Sequence, residues 1–214
     1  MFYWIREFVL LAMICIALWT WWRVPRTSHF PSFLIGTMIL LALLVETTGL
    51  VTTVNRVNNS VVYNALSFVE FILQLGLIHN YVRRWNSVIF IGAGLGAIVW
   101  FWSISHYNIF DFLFIEAILG FALVLMSLSL AVLWRIARSS DTPLQGLPEF
   151  WLLGGILIYH GSLLPVLAMI HFVFAKDDGM ASLLWYIPPF LCVLRYACIA
   201  GALVLARRRV LSSI

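Results

Sequence analysis

Seven stretches of this chain stay apolar for about the 20 residues that a helix needs to cross a bilayer. They run over 3–22, 30–51, 60–79, 87–105, 108–134, 149–174 and 182–206. Of the 214 residues, 63% are hydrophobic and only 10% are charged, whereas soluble domains carry roughly 25% charged residues. The pattern predicts an all-α, polytopic seven-helix bundle, one membrane domain over 1–214. No connection is long enough for a second domain. The first run is read as a retained helix. Arg6 and Glu7 sit side by side within it, and no small-x-small cleavage site precedes Trp19, Trp21 and Trp22.

The basic residues orient the bundle. Arg23, Arg26, Arg83, Arg84, Arg135, Arg138, Arg207, Arg208 and Arg209 fall at one end, against Arg6, Arg56 and Lys176 at the other. Nine against three places the amino terminus outside and the carboxyl terminus in the cytoplasm. A multi-pass protein of a bacterial inner membrane is the expectation. The formal charge of +4 comes from short clusters between apolar runs, with no basic stripe interleaved with exposed aromatics, which argues against a nucleic-acid partner. Cys15, Cys192 and Cys198 all lie inside apolar runs and read as small hydrophobes.

The third run, Ser60 to His79, differs from the others. Tyr63, Ser67, Glu70 and Gln74 recur at spacings of four, three and four, so they form one stripe of a helix. A carboxylate near mid-bilayer costs about 2.5–3.5 kcal/mol on insertion scales, so Glu70 should face protein and find a partner. Arg195 is the basic residue at similar depth. Glu46, Asn64, Asp111, Glu116 and His171 fall toward the outer ends of their helices, with His160 near the middle. This asymmetry predicts a polar cavity opening outward. Its expected ligand-binding residues are Glu46, Tyr63, Asn64, Glu70, Glu116, Tyr159, His160 and Arg195, with Glu70 and Arg195 as the central pair. The competing explanation is that such residues only brace helices through hydrogen bonds.

Several chemistries lack support. Gly92, Gly94 and Gly96 follow no strand and lead to no phosphate-binding lysine; Gly92-x-x-x-Gly96 reads instead as a close helix contact. His106, Asp111, His160 and His171 are chemically able to bind zinc, but no H-E-x-x-H spacing supports it. His160 and His171 lie about 16 Å apart along one helix. A retinal protein needs a lysine in the last helix, and Lys176 is in a loop. No metal and no cofactor is expected. Pro165 predicts a kink in the sixth helix.

Three functions compete. A sensor or receptor-like protein would bind a small or lipidic ligand and act through a separate cytoplasmic or membrane partner. An intramembrane, metal-dependent lipid hydrolase and a small solute or proton carrier are the alternatives. The carrier lacks the paired broken helices of transporter repeats, and the balance leans against an enzyme.

The motifs Glu46-Thr-Thr-Gly49, Asn55 and Asn58, Val62-Tyr63-Asn64 and Phe68-Val69-Glu70-Phe71 resemble those of the small, uncharacterised seven-helix membrane proteins common in Bacteroidota. So do Phe150-Trp151 with Gly154-Gly155 and Tyr159, then Leu184-Trp185-Tyr186-Ile187 and Arg195-Tyr196. The resemblance covers most of the chain. Pro188-Pro189 and Arg195 depart from it, since an apolar or Asn-containing segment is expected there. That family is similar in size and topology to membrane-sensing portions of some histidine kinases. The resemblance therefore implies a signalling or sensory role.

Overall fold

A computed structural model describes residues 2–25, 30–110, 113–174 and 184–212. Seven helices account for nearly all of them: α1 (Phe2–Trp22), α2 (Ser32–Val54), α3 (Ser60–Tyr81), α4 (Asn86–His106), α5 (Ile115–Ser139), α6 (Pro148–Phe174) and α7 (Ile187–Ser212). Each is long and apolar enough to cross a membrane, and no strand occurs among the described residues. The protein is thus an all-helical chain suited to a multi-pass membrane setting.

Five helices follow the expected boundaries to within three residues, α7 runs over 187–212 where 182–206 was expected, and α5 departs furthest. It begins at Ile115, well after residue 108. Polar side chains hold the preceding segment out of the helix. Asn108 Oδ1 accepts from the Phe110 N–H at 3.1 Å, and Asn64 Oδ1 from the Phe114 N–H at 2.9 Å. Asp111 lies outside the described residues, as do Lys176 and the His171 side chain. α6 runs unbroken through Pro165. Proline has no N–H to donate, so the Gly161 carbonyl lacks its usual partner one turn on.

Six helices close a ring. α1 packs on α2 and α7, α6 on α5 and α7, and α3 on α2 and α5. α4 stands outside this ring, against α3 and α5. Its glycines explain how closely it docks. A Cβ at Gly96 would overlap the Phe71 ring, and one at Gly92 would come within 3.0 Å of Val124. The outward side of α4 carries Phe90, Ile98 and Phe101, all more than 60% exposed, as lipid contact requires.

The half of the bundle toward the basic end is closely packed with apolar side chains. Ile14, Ile78, Leu152, Ile156, Ile199 and Leu203 interlock there, none more than 1% exposed. Lipid tails are as apolar as these side chains, so close packing, not escape from water, holds this half together. At Gly155 an added Cβ would lie 2.7 Å from Cys198 Cβ, which is how α6 and α7 come together.

The α2–α3 turn contains one strained residue. Arg56 has φ 56°, and it sits where a helix end usually places glycine. The Val57 N–H bonds the Thr52 carbonyl at 2.8 Å, and the Arg56 N–H the Thr53 carbonyl at 3.1 Å. These two bonds complete a Schellman closure that needs the left-handed conformation. Replacing Arg56 with Gly removes a Cβ clash worth about 1–2 kcal/mol, partly offset by chain entropy. Arg56→Gly should therefore raise the thermal midpoint of the detergent-solubilised protein. A lowered midpoint would mean that Arg56 contributes by its side chain.

Candidate functional site

The cavity starts from the polar stripe of α3. Tyr63, Ser67, Glu70 and Gln74 all line one cavity of about 560 Å³. Walls come from all six ring helices, with Leu10 on α1, Glu46 on α2, Phe121 on α5, Leu163 on α6 and Cys192 on α7. α4 contributes no lining residue. Asn59, Leu113 and Trp185 lie at its rim, at the amino-terminal end of the bundle. Its floor lies near mid-membrane, since Glu70 is about 15 Å along α3 from Ser60 and Arg195 about 12 Å along α7 from Ile187.

A chain of polar contacts crosses this floor. Arg195 Nη1 lies 2.6 Å from Glu70 Oε1. Gln74, one turn further along α3, donates to the same oxygen at 3.1 Å. Gln74 Oε1 in turn meets His160 Nε2 at 2.9 Å. An amide oxygen only accepts, so this contact places the imidazole proton on Nε2 and leaves Nδ1 a lone pair. That Nδ1 is buried without a hydrogen-bond partner among the described residues. On the other side, Arg195 Nη2 donates to Tyr196 Oη at 2.8 Å. The guanidinium also lies over two rings, with Cζ 4.4 Å from the Tyr159 centroid and 4.9 Å from that of Tyr196.

Burial decides how these groups behave. Arg195 is 3% exposed, whereas the Glu70 side chain keeps 21% of its surface open to the cavity. The ion pair is close, yet Nη1 is out of line for a hydrogen bond and Nε has no hydrogen-bond partner among the described residues. Charge attraction and ring stacking hold the guanidinium, and part of its donor capacity is left over.

Two further acids stand higher in the cavity. Glu46 Oε2 accepts from Tyr63 Oη at 3.4 Å, a long contact. It depends on Gly49, one turn beyond Glu46, where a Cβ would overlap the tyrosine hydroxyl. Glu7 pairs with its neighbour Arg6, whose guanidinium also lies 5.3 Å from the Tyr186 ring.

Six of the eight residues expected from the sequence share this cavity: Glu46, Tyr63, Glu70, Tyr159, His160 and Arg195. Asn64 and Glu116 do not line it. Asn64 is 0% exposed and points toward the α4–α5 connection, where it holds the Phe114 N–H. Glu116 accepts from Tyr107 Oη at 2.9 Å on the exposed rim. That bond raises the Tyr107 hydroxyl above its ordinary pKa, because the carboxylate stabilises the protonated phenol.

Sequence reasoning left Arg6, Glu7, Gln74, Cys192 and Tyr196 out of the site. Glu7 had a signal: with Leu10, Ile14 and Ala17 it forms the buried stripe of α1. Gln74 lay on the Glu70 stripe itself. Among the described residues, no three His, Cys, Asp or Glu side chains come together as a metal site requires. Comparisons with protein-family models, curated proteins and solved structures find no match to this chain.

Two stability outcomes follow. Removing one member of the buried pair strands its partner, at a cost of about 3–5 kcal/mol. Arg195→Gln and Glu70→Gln should each lower the thermal midpoint, and the double variant should lose less than the sum, as a double-mutant cycle would read. Strict additivity would mean that the two charges do not interact. Asn64→Ala leaves the Phe114 N–H unpaired and should cost about 1–3 kcal/mol without changing the cavity. Hydrogen exchange at the α4–α5 connection measures it, and unchanged protection there would remove Asn64 from that role.

Proposed function

We propose that this chain is a receptor-like membrane protein that binds a small or lipidic ligand in its central cavity and acts through a separate partner. The observation that carries the reading is one cavity reaching from the amino-terminal end of the bundle to the buried Glu70–Arg195 pair. Its volume of about 560 Å³ lies within the roughly 300–1,000 Å³ of small-molecule sites. Its walls are largely apolar, with a few convergent polar groups, as ligand orientation requires. The packed apolar half beneath it favours a closed binding site over a through path. The unused donor capacity of Arg195 and the lone pair on His160 Nδ1 are groups for a ligand to satisfy.

In this reading the cavity opens outward and the basic end faces the cytoplasm of a bacterial cell. The distribution of arginines supports that orientation. The basic face would then meet the partner. Carboxyl-terminal fusions test the topology: green fluorescent protein should fluoresce and alkaline phosphatase should be inactive. The opposite pattern would invert the bundle.

The ligand is tested by native mass spectrometry of the purified protein released from lipid nanodiscs. Wild type should carry a defined adduct that is lost in both Glu70→Gln and Arg195→Gln, each first shown to be folded. No adduct in wild type, with both variants folded but less heat-stable, would make the polar floor a structural brace and overturn the reading.

A further inference from the structure

A second cleft lies at the opposite end of the bundle, between the last turns of α1 and α7. It measures about 380 Å³. Trp19 borders it from α1, Arg23 from the turn that follows α1, and Val204, Arg207, Arg208 and Leu211 from α7. The α7 residues recur at spacings of three, one and three, so they form a single face of that helix. α1 and α7 run in the same direction and pack on one another, so both carboxyl-terminal ends meet at this cleft.

We propose that this cleft binds the phosphate headgroup of an anionic phospholipid. Charge is the first argument. Arg23, Arg207 and Arg208 are exposed, and among the described residues none has a carboxylate within ion-pair distance. Their neighbour Arg209 does have one, in Glu149 at 3.4 Å, so among the four arginines at this corner the charge left without an ion pair is on the three that line the cleft. The two helix ends oppose an anion, with about half a negative charge each. Three full positive charges exceed that.

Geometry is the second argument. The Arg23 guanidinium stacks over the Trp19 ring at 4.1 Å. Stacking orients the plane of the guanidinium and leaves its N–H edges open, and that planar fork suits two oxygens of one phosphate. Apolar surface flanks the charge. Trp19 is 58% exposed, Val204 39% and Leu211 56%. An indole at a helix end sits at headgroup level, with acyl chains beyond it. A free phosphate ion would use the arginines and leave this apolar rim uncovered. A phospholipid uses both.

The test uses full-length protein in phosphatidylcholine nanodiscs with and without phosphatidylglycerol. Native mass spectrometry counts the lipids retained on release. Wild type should keep phosphatidylglycerol in preference to phosphatidylcholine. In R23Q/R207Q/R208Q that preference should fall by about fivefold for each arginine removed. The charge-matched control R84Q/R135Q/R138Q, at the same end of the bundle, should keep it. If the triple variant fails to insert, R207Q/R208Q replaces it, against R135Q/R138Q as control. Equal losses in variant and control would reduce the effect to diffuse surface charge and overturn the site. So would no preference in wild type. A thermal shift with inorganic phosphate that equals the shift with phosphatidylglycerol would make the cleft a site for free anions and overturn the lipid assignment.

Discussion

The ion pair between Glu70 and Arg195 joins parts of the bundle that otherwise scarcely meet. α3 packs mainly on α2, α4 and α5, while α6 and α7 pack on each other, α5 and α1. The link from α3 to the α6–α7 pair runs through side chains across the cavity floor: Glu70 to Arg195 and Gln74 to His160. A bilayer offers no hydrophobic driving force for closing a ring of apolar helices around a space. Polar groups that cannot be solvated by lipid supply a reason for the ring to close, because Glu70 meets Arg195, and Gln74 meets His160, only across the floor. The cavity and the ion pair are thus two aspects of one arrangement.

The floor also divides the bundle into unlike halves. Toward the amino-terminal end, three glutamates, two arginines and several hydroxyls surround open space. Toward the basic end, branched aliphatic side chains pack together in the interior. Glycines permit both. At Gly49 a missing side chain lets the Tyr63 hydroxyl reach α2, which shapes the cavity wall. At Gly155 it lets α6 press against α7, at the level of Cys198. The same residue type opens polar reach in one half and tightens packing in the other.

Much of this could be read in the sequence, for identifiable reasons. Seven apolar runs determine seven helices, because a bilayer leaves few other ways to satisfy the backbone. The stripe Tyr63, Ser67, Glu70 and Gln74 faces inward as a unit because helical spacing keeps it together. Depth along the chain was enough to pair Glu70 with Arg195, the one deeply placed cation. Asn64 and Glu116 show where that reasoning stops. Depth does not specify direction around a helix. Asn64 is on α3 but one position round from Tyr63, which turns it to the α4–α5 connection. Glu116 was expected inside a helix starting at 108, but α5 starts at Ile115, so Glu116 sits in its first turn at the rim. α4 is a further limit. Its apolar sequence resembles the others, and nothing in its periodicity says that it stands outside the ring.

α7 connects the two halves and the two clefts. Arg195 lies on the floor of the cavity, and Arg207 and Arg208 border the cleft at the far end, about 18 Å further along the same helix. Between them, Ile199, Ala202, Leu203 and Ala206 are buried against neighbouring helices. The position of the Arg195 guanidinium and that of the arginines at the basic end are therefore set by one packed helical segment. α1 packs along α7, and the two end together. The arginine buried at the centre and the exposed ones at the basic end thus belong to one helix, and the packing that fixes the first also fixes where the others stand.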